Sequence, residues 1–380
     1  MDIVIKERAQ DIFVEAHIAD IHFGVIDPAT EFKILKEQFL DYIYQMQVLD
    51  IVSINGDIFH HKFIASSDAV MYAMYFMRAL LDICKLKGAT VILISGTASH
   101  DSDQIKMFYP FTESYDLRII NYTQFIYVKG KRILCIPEEY NMGEAYYNNF
   151  LVYGGLYDAC YMHGTYKGAI YGKNLHDLNS NREPVFDNMD FSSCKGPVIS
   201  GHVHIFNNYN NEFFYCGSPI RWCFGEERDK GFIILLHNIK TRKYKVHLER
   251  INSFKYETIR LSDLINQDPN TIIQYIHNVK SLGIDYLRIV FTVNDSDKIA
   301  ILKSYYRNRS DIHIECDFEK QQIENELSRM EEENRAKMAY LIDPNLSPEE
   351  KLVQYMNINN GNSYWSVDLL QKFMEDIKSL

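Results

Sequence analysis

The chain has 380 residues, 47% hydrophobic and 24% charged, which suits a soluble globular protein with one large domain and one or two small ones. A net charge of -11 argues against holding nucleic acid by diffuse electrostatics, though not through bound cations, and no apolar run reaches the roughly 18 residues of a membrane span. The 7 Cys are scattered without a C-x-x-C pair, and the first eight residues carry charge where a secretory signal is apolar, so a reducing cytoplasm is expected.

In chain order, strand and helix patterns alternate through the first half, the mark of a layered α/β domain. A strand is expected over 12–18. Phe32, Leu35, Phe39, Ile43 and Met46 then recur at helical spacing. A second strand over 51–54 is followed by Ser67 as N-cap, a helix over 68–86 and Gly88 as its stop. Val70, Met71, Met74, Phe76, Met77, Leu80, Leu81 and Ile83 leave that helix little polar face, so it must be covered on both sides. Either other core elements enclose it, or one face packs on the sheet and the other on a second copy of the chain. Strands over 91–94, 117–128 and 131–136 read as one strand and a meander of short ones. A helix over 142–151, strands over 159–162 and 197–199, and three antiparallel-looking strands over 212–216, 231–236 and 244–248 complete a domain of residues 1–250. Residues 251–316 alternate strand and helix in a compact α/β unit near the lower size limit for its own core. Residues 317–380 read as a helical tail. Ile323, Leu327 and Met330 form a narrow seam there, Ser347-Pro348-Glu349-Glu350 is a capping box, and Val367, Leu370, Phe373, Met374 and Ile377 stripe the last helix. The stretch 317–333 holds 7 acids against 2 bases, which favours a protein partner over DNA at that point.

Five short clusters carry the chemistry: Asp20-Ile21-His22, Gly56-Asp57-Ile58-Phe59-His60, Ser99-His100-Asp101, Met162-His163-Gly164 and Gly201-His202-Val203-His204. They hold 6 of the 13 His, and each closes a run that reads as a strand. Ligands of open α/β sheets bind beyond the carboxyl ends of the strands, so five strands bring metal-type donors to one edge. Residues i and i+2 at a strand end point to the same side, so Asp20 with His22, and His202 with His204, can each aim two donors at one site. Asp57 can bridge two ions through its two oxygens. Mixed imidazole and carboxylate donors suit manganese, iron or zinc better than magnesium. Two such ions clamp the attacking and leaving oxygens of a phosphoryl displacement. A lone D-x-H carries no information; the weight lies in five clusters in order.

The order D-x-H, G-D, G-N-H-D, H, G-H-x-H resembles the calcineurin-like metallophosphoesterases. Within them the chain is most similar to SbcD-type nuclease subunits of double-strand-break repair and phage recombination. Gly56-Asp57-Ile58-Phe59-His60 resembles their G-D-L-F-H motif, and Tyr215-Cys216-Gly217-Ser218-Pro219-Ile220-Arg221 with Phe224-Gly225-Glu226 resembles their Y-P-G-S-x-x-R…F-G-E segment. The resemblance is strong over 16–226 and loose beyond 250. It implies a β-sandwich flanked by helices, a small α/β capping domain that contacts DNA, and a helical tail. One metal would be held by Asp20, His22, Asp57 and His204, and the other by Asp57, His163 and His202. His100 would act as the acid at the leaving oxygen, oriented by Asp101, and His60 would position the phosphodiester. The Asn of G-N-H-D is absent. Ser99 stands in its place if His100 and Asp101 keep their register, and the segment beginning Gly96-Thr97 suggests a longer loop. Also implied are 3′-to-5′ exonuclease and single-strand endonuclease activity on DNA with two divalent ions, manganese first and magnesium as the alternative. A homodimer through helix 68–86 and docking of the tail on an SbcC-type coiled-coil ATPase complete the expectation, in the host cytoplasm if the chain is viral. Lys62 and Arg221, with Lys167, Lys173 and Arg182 beyond them, are the candidate DNA contacts. Two alternatives remain: a metallophosphoesterase acting on a non-DNA phosphoester, and a weakly metallated scaffold that binds DNA ends.

Overall fold

The computed structural model describes residues 11–169, 185–226, 228–261, 267–292, 296–317, 346–359 and 366–378. The fold is mixed α/β. Two six-stranded sheets contain both parallel and antiparallel pairs. The first sheet comprises β1 (Ile12–Ile18), β2 (Ile51–Asn55), β3 (Thr90–Ile94), β4 (Leu117–Ile120), β13 (Gly231–Asn238) and β14 (Lys243–Arg250), in the order β14-β13-β1-β2-β3-β4. The second comprises β5 (Gln124–Val128), β6 (Lys131–Ile136), β7 (Ala159–His163), β10 (Val198–Gly201), β11 (Asn207–Tyr209) and β12 (Phe213–Tyr215), in the order β11-β12-β10-β7-β6-β5. A two-stranded ribbon, β8 (Thr165–Tyr166) with β9 (Val185–Phe186), stands beside them.

Side-chain alternation builds the layers. In β1, Phe13 joins a core shared by both sheets, which also takes Ile51, Ile92, Ile133, Tyr161 and Ile199, whereas Ala16 and Ile18 face a second core on the helical side. Both faces of β1 are covered, so its period-2 pattern shows as continuous burial. The helical side is formed by α1 (Pro28–Leu35), a π-helical turn (Lys36–Leu40), α2 (Asp41–Gln45) and α3 (Asp68–Lys87). The π turn explains why adjacent Phe39 and Leu40 are both buried: the extra residue rotates the following face back onto the sheet. Phe39 packs edge-on to Phe232 with centroids 4.8 Å apart, and full burial of one such ring is worth about 1.5–3 kcal/mol. On the far side of the second sheet, α4 (Glu144–Leu151) packs Tyr147 and Leu151 against Leu134, Cys160 and Met162.

Helix α3 starts at Ser67, whose hydroxyl accepts the Val70 amide at 3.4 Å, and ends at Gly88 in the left-handed conformation. It is not apolar all round. Val70, Ala73, Phe76, Met77, Leu80 and Cys84 are buried, while Met71, Tyr75, Arg78 and Asp82 are exposed. Two strand expectations are corrected. The segments 117–128 and 131–136 are not one meander: β4 adds in parallel to β3, and the chain then crosses to the other sheet, where β5 and β6 form a hairpin. The two-residue turn Lys129-Gly130 has both φ angles positive (48° and 89°), as a tight right-twisted hairpin requires. Likewise β12 does not neighbour β13. It runs parallel to β10 in the second sheet, and only β13 and β14 form the expected antiparallel pair.

Beyond 250, β15 (Tyr256–Leu261), β16 (Tyr286–Phe291) and β17 (Ile312–Cys316) form a three-stranded sheet in that order, with α5 (Pro269–Lys280) and α6 (Ser296–Tyr306) between them in sequence. The chain divides into two compact units, residues 1–258 with 275–288, and residues 259–274 with 289–380. Two described helices follow, α7 (Pro348–Asn359) and α8 (Val367–Lys378). The capping box closes reciprocally, Ser347 N–H to Glu350 at 2.7 Å and Glu350 N–H to the Ser347 hydroxyl at 3.2 Å. The seam at Ile323, Leu327 and Met330 and the candidate DNA contacts Lys173 and Arg182 lie outside the described residues. Among the described residues no helix is long and apolar enough to cross a membrane.

Candidate metal centre

The donors gather at or just beyond the carboxyl ends of β1, β2, β6, β7 and β10. Two adjacent groups result, one of Asp20, His22 and His204 and one of Glu138, His163 and His202, with Asp20, Asp57 and His163 forming a third trio that links them. Asp57 Oδ2 lies 3.7 Å from His22 Nε2 and 3.4 Å from His163 Nε2, so a single oxygen faces both groups. His22 Nε2 and His204 Nε2 are 3.2 Å apart. His202 and His204 therefore belong to different groups.

Strand pleating is not what aims them. Asp20 and His22 lie past the end of β1, with φ of 51° and 57°, and Asp57 (52°) and His202 (89°) share the left-handed region. Non-glycine residues pay of order 1–3 kcal/mol to stay there, and such strain clusters at functional sites. Hydrogen bonds hold these conformations: Asp20 N–H to the Gly56 carbonyl at 3.1 Å, His22 N–H to the Asp57 carbonyl at 3.0 Å, and His202 N–H to Asp20 Oδ1 at 2.9 Å. The motif glycines are needed for close approach. A Cβ on Gly96 would collide with the Asp57 carboxylate, and one on Gly56, whose φ is 85°, with the His163 ring.

Asp101 does not orient His100. One of its oxygens accepts the amides of Ile58 (2.9 Å) and Phe59 (3.3 Å), and the other those of Asp57 and Gly96 (both 2.9 Å). Buried and fully engaged, it braces the loop that presents Asp57. His100 is instead held by its Nδ1 on the His60 carbonyl, which leaves Nε2 for other work. The rings of His22, His60 and His100 converge, with one nitrogen of each within 4.8 Å of the others. His61 is exposed and lies against Phe63. Ser99 is exposed too, and the hydroxyl that reaches the centre belongs to Thr97, 3.2 Å from Asp57 Oδ2 and 3.4 Å from His163 Nε2. Lys62 and Lys167 are exposed. Arg221 is committed to its own loop, donating to the carbonyls of Glu226 and Arg228, both at 3.0 Å.

Several residues were missed in the sequence. Glu138 is the main one. It follows β6 by two residues, so the strand-end rule that selected the other clusters applied to it as well, but next to Glu139 it reads as a solvated acid. Trp222 lines the centre edge-on to His22 and His204, at 5.0 and 4.9 Å. Lys230 is buried and donates to the His204 carbonyl at 2.7 Å and the Ser218 hydroxyl at 2.6 Å, tying the Gly217-Ser218 loop to the last cluster.

The electrostatics suit a cation. Burial pushes the His22 imidazole down to about 3 and that of His204 well below its ordinary value, so both present neutral nitrogens. His163 goes the other way: burial would lower it, but Asp57, Asp20 and Glu138 together raise it to about 9. Burial, aided by the Asp57 charge, lifts Asp20 to about 7. Three buried carboxylates thus call for positive charge at their centre. Asp20 Oδ2 and His22 Nδ1 are buried with no hydrogen-bond partner among the described residues. His163 Nδ1 bonds the Asn55 carbonyl at 2.8 Å, which fixes Nε2 as the donor toward the centre. The residues fit a pair of divalent cations. No protein-family model matches the chain, and no curated protein matches it.

Proposed function

We propose that this chain is a two-cation phosphodiesterase acting on DNA, the nuclease subunit of an SbcD-like recombination or repair system built on a metallophosphoesterase sandwich. The observation that carries the reading is Asp57 Oδ2, facing a ring nitrogen of each donor group at 3.7 and 3.4 Å. Asp20, His22, Asp57 and His204 would hold one ion, and Asp57, His163 and His202 the other. Manganese is the first candidate and magnesium the second; such ions supply Lewis acidity toward a phosphodiester and toward the attacking water. The chain's own part is positioning and proton transfer. Asp101 and the left-handed backbone at Asp57 fix the Asp57 carboxylate, which would serve both ions. The His60 carbonyl holds the His100 ring so that Nε2 can give a proton to the leaving oxygen.

The same proposal includes two partners. A second copy would pack on the exposed side of α3, where Met71 and Tyr75 are 39% and 53% accessible. A coiled-coil ATPase of the SbcC type would take the helical tail. The test of the activity is degradation of end-labelled linear duplex and single-stranded DNA with manganese, beside His100→Ala. Cleavage that drops by about 10²-fold or more in the variant is expected. Intact DNA with manganese bound would remove DNA as the substrate and leave a non-DNA phosphoester.

A further inference from the structure

The second donor group holds one acid more than the motif order supplies. Glu138 lies two residues past β6, and its amide donates to the Ser95 carbonyl at 3.3 Å, which binds it to the loop after β3. Its Oε2 is 3.4 Å from His163 Nε2, 3.3 Å from His202 Nδ1 and 2.9 Å from the Thr97 hydroxyl. We propose that Glu138 is a cation ligand of the His163–His202 group, taking the place of the side-chain amide in the G-N-H-D pattern, with Thr97 as its positioning residue. The proposal rests on the two-cation reading.

Charge-assisted hydrogen bonds between a ring nitrogen and a carboxylate close to about 2.7–2.9 Å. The two imidazole–Glu138 separations, 3.3 and 3.4 Å, are wider. They match the ligand-to-ligand edge around an ion with bonds of about 2.1 Å, which is about 3.4 Å for a tetrahedron and about 3.0 Å for an octahedron. Asp57 Oδ2 completes the set at 3.4 Å from His163 Nε2. One donor atom from each of Glu138, His163 and His202 thus lies within 4.8 Å of the others, and Asp57 joins the group through His163.

Thr97 explains why an acid is needed there. It follows Gly96 directly, where the pattern has Asn, and Ala98 and Ser99 separate it from His100. Its amide donates to Asp57 Oδ1 at 2.7 Å and its hydroxyl to Glu138 Oε2 at 2.9 Å. The shorter side chain serves the two carboxylates and brings no carbonyl oxygen of its own. The Tyr140 hydroxyl donates to Glu138 Oε1, so the carboxylate is held at one oxygen and presents the other. Replacing a neutral amide by a carboxylate adds a full negative charge. Two divalent ions would then face three carboxylates, Asp20, Asp57 and Glu138, and be held more tightly than by two.

The test is manganese titration of the full chain by calorimetry, with electron paramagnetic resonance of the loaded protein. The native chain should take two ions and show the broadened spectrum of an exchange-coupled pair. Glu138→Gln should keep one ion, weaken the other at least tenfold and give the six-line spectrum of an isolated ion. Glu138→Asp, which keeps the charge but shortens the reach, should weaken the same ion, and Thr97→Val should do so to a smaller degree. Asp20→Asn serves as the control on the other group and should leave the Glu138-dependent ion in place. Two tightly bound, coupled ions in Glu138→Gln would reduce Glu138 to an ion-pair partner of the two histidines and overturn this inference alone. Fewer than two ions in the native chain would overturn it together with the two-cation reading.

Discussion

Glu31 in α1 offers a quantitative test of how the metal-centre loop is held. The residue is wholly buried, one oxygen accepts the Gly24 amide at 3.1 Å, and the other has no partner among the described residues. Gly24 ends the segment that carries Asp20 and His22. Burial raises the Glu31 carboxyl well above its ordinary 4.5, against the pull of the Gly24 hydrogen bond. The folded chain therefore keeps a proton that the unfolded chain gives up as pH passes 4.5. The unfolded state binds fewer protons over that range, so stability falls as pH rises toward the folded-state value, at about 1.4 kcal/mol per pH unit, and then levels. Glu31→Gln carries no titrating group in either state. Its amide nitrogen lacks an acceptor, a fixed cost of about 1–3 kcal/mol that does not vary with pH. The diagnostic quantity is thus the slope. Urea unfolding of both proteins at about pH 5, 6 and 7 should show the variant gaining on the native chain as pH rises, by at most about 1.4 kcal/mol per unit, the other titrations cancelling in the difference. A difference that stays constant over that range would mean that Glu31 ionises as in water, and the reasoning would fail.

Three further substitutions test other buried polar contacts. Lys131 and Glu15 are ion-paired and wholly buried between the sheets, with the Tyr161 hydroxyl also on Glu15. Burial alone would raise the Glu15 carboxyl, but Lys131 and the His17 hydrogen bond hold it below the usual range. Lys131→Met should cost about 3–5 kcal/mol in chemical unfolding because it strands that charge, and adding Glu15→Gln should recover much of the loss; simple additivity of the two would contradict the pairing. Asp101→Ala leaves four buried amides, at Asp57, Ile58, Phe59 and Gly96, without their acceptor. A loss of about 3 kcal/mol or more is expected, with faster hydrogen exchange at those four amides, and unchanged protection there would rule out the bracing role.

Most of the longer strands were legible in the sequence as short apolar runs bounded by turn residues, whereas the two-residue β8 and β9 and the polar β11 offer no such run; the donor clusters were legible because five of the apolar runs lead into Asp or His. Membership of a sheet was not. The runs that became β4, β5 and β12 are too short and too uniformly apolar to show which sheet completes them, so the crossing between β4 and β5 had no local signal. The 68–86 helix reads as apolar throughout because its methionines count as hydrophobic, yet Met71 reaches solvent.

Within the centre, residue type was more informative than spacing. The rule that i and i+2 share a face explains neither Asp20 with His22 nor His202 with His204, since all four lie beyond their strands and three of them have positive φ. Left-handed backbone at Asp and His leaves no trace in composition. It is imposed from a distance: through Asp101 on Asp57, through the Gly56 and Asp57 carbonyls on Asp20 and His22, and through Asp20 on His202. The same reach explains the errors of role. Asp101 stands beside His100 in sequence, but the chain turns there, and its carboxylate meets backbone more than 40 residues upstream. Ser99 reads as the stand-in donor because it is adjacent to His100, whereas the two extra residues of the loop return Thr97 to that place. Glu138 enters from the other sheet altogether. Bonds between the loops of two sheets thus assemble the centre, and no window along one strand contains them.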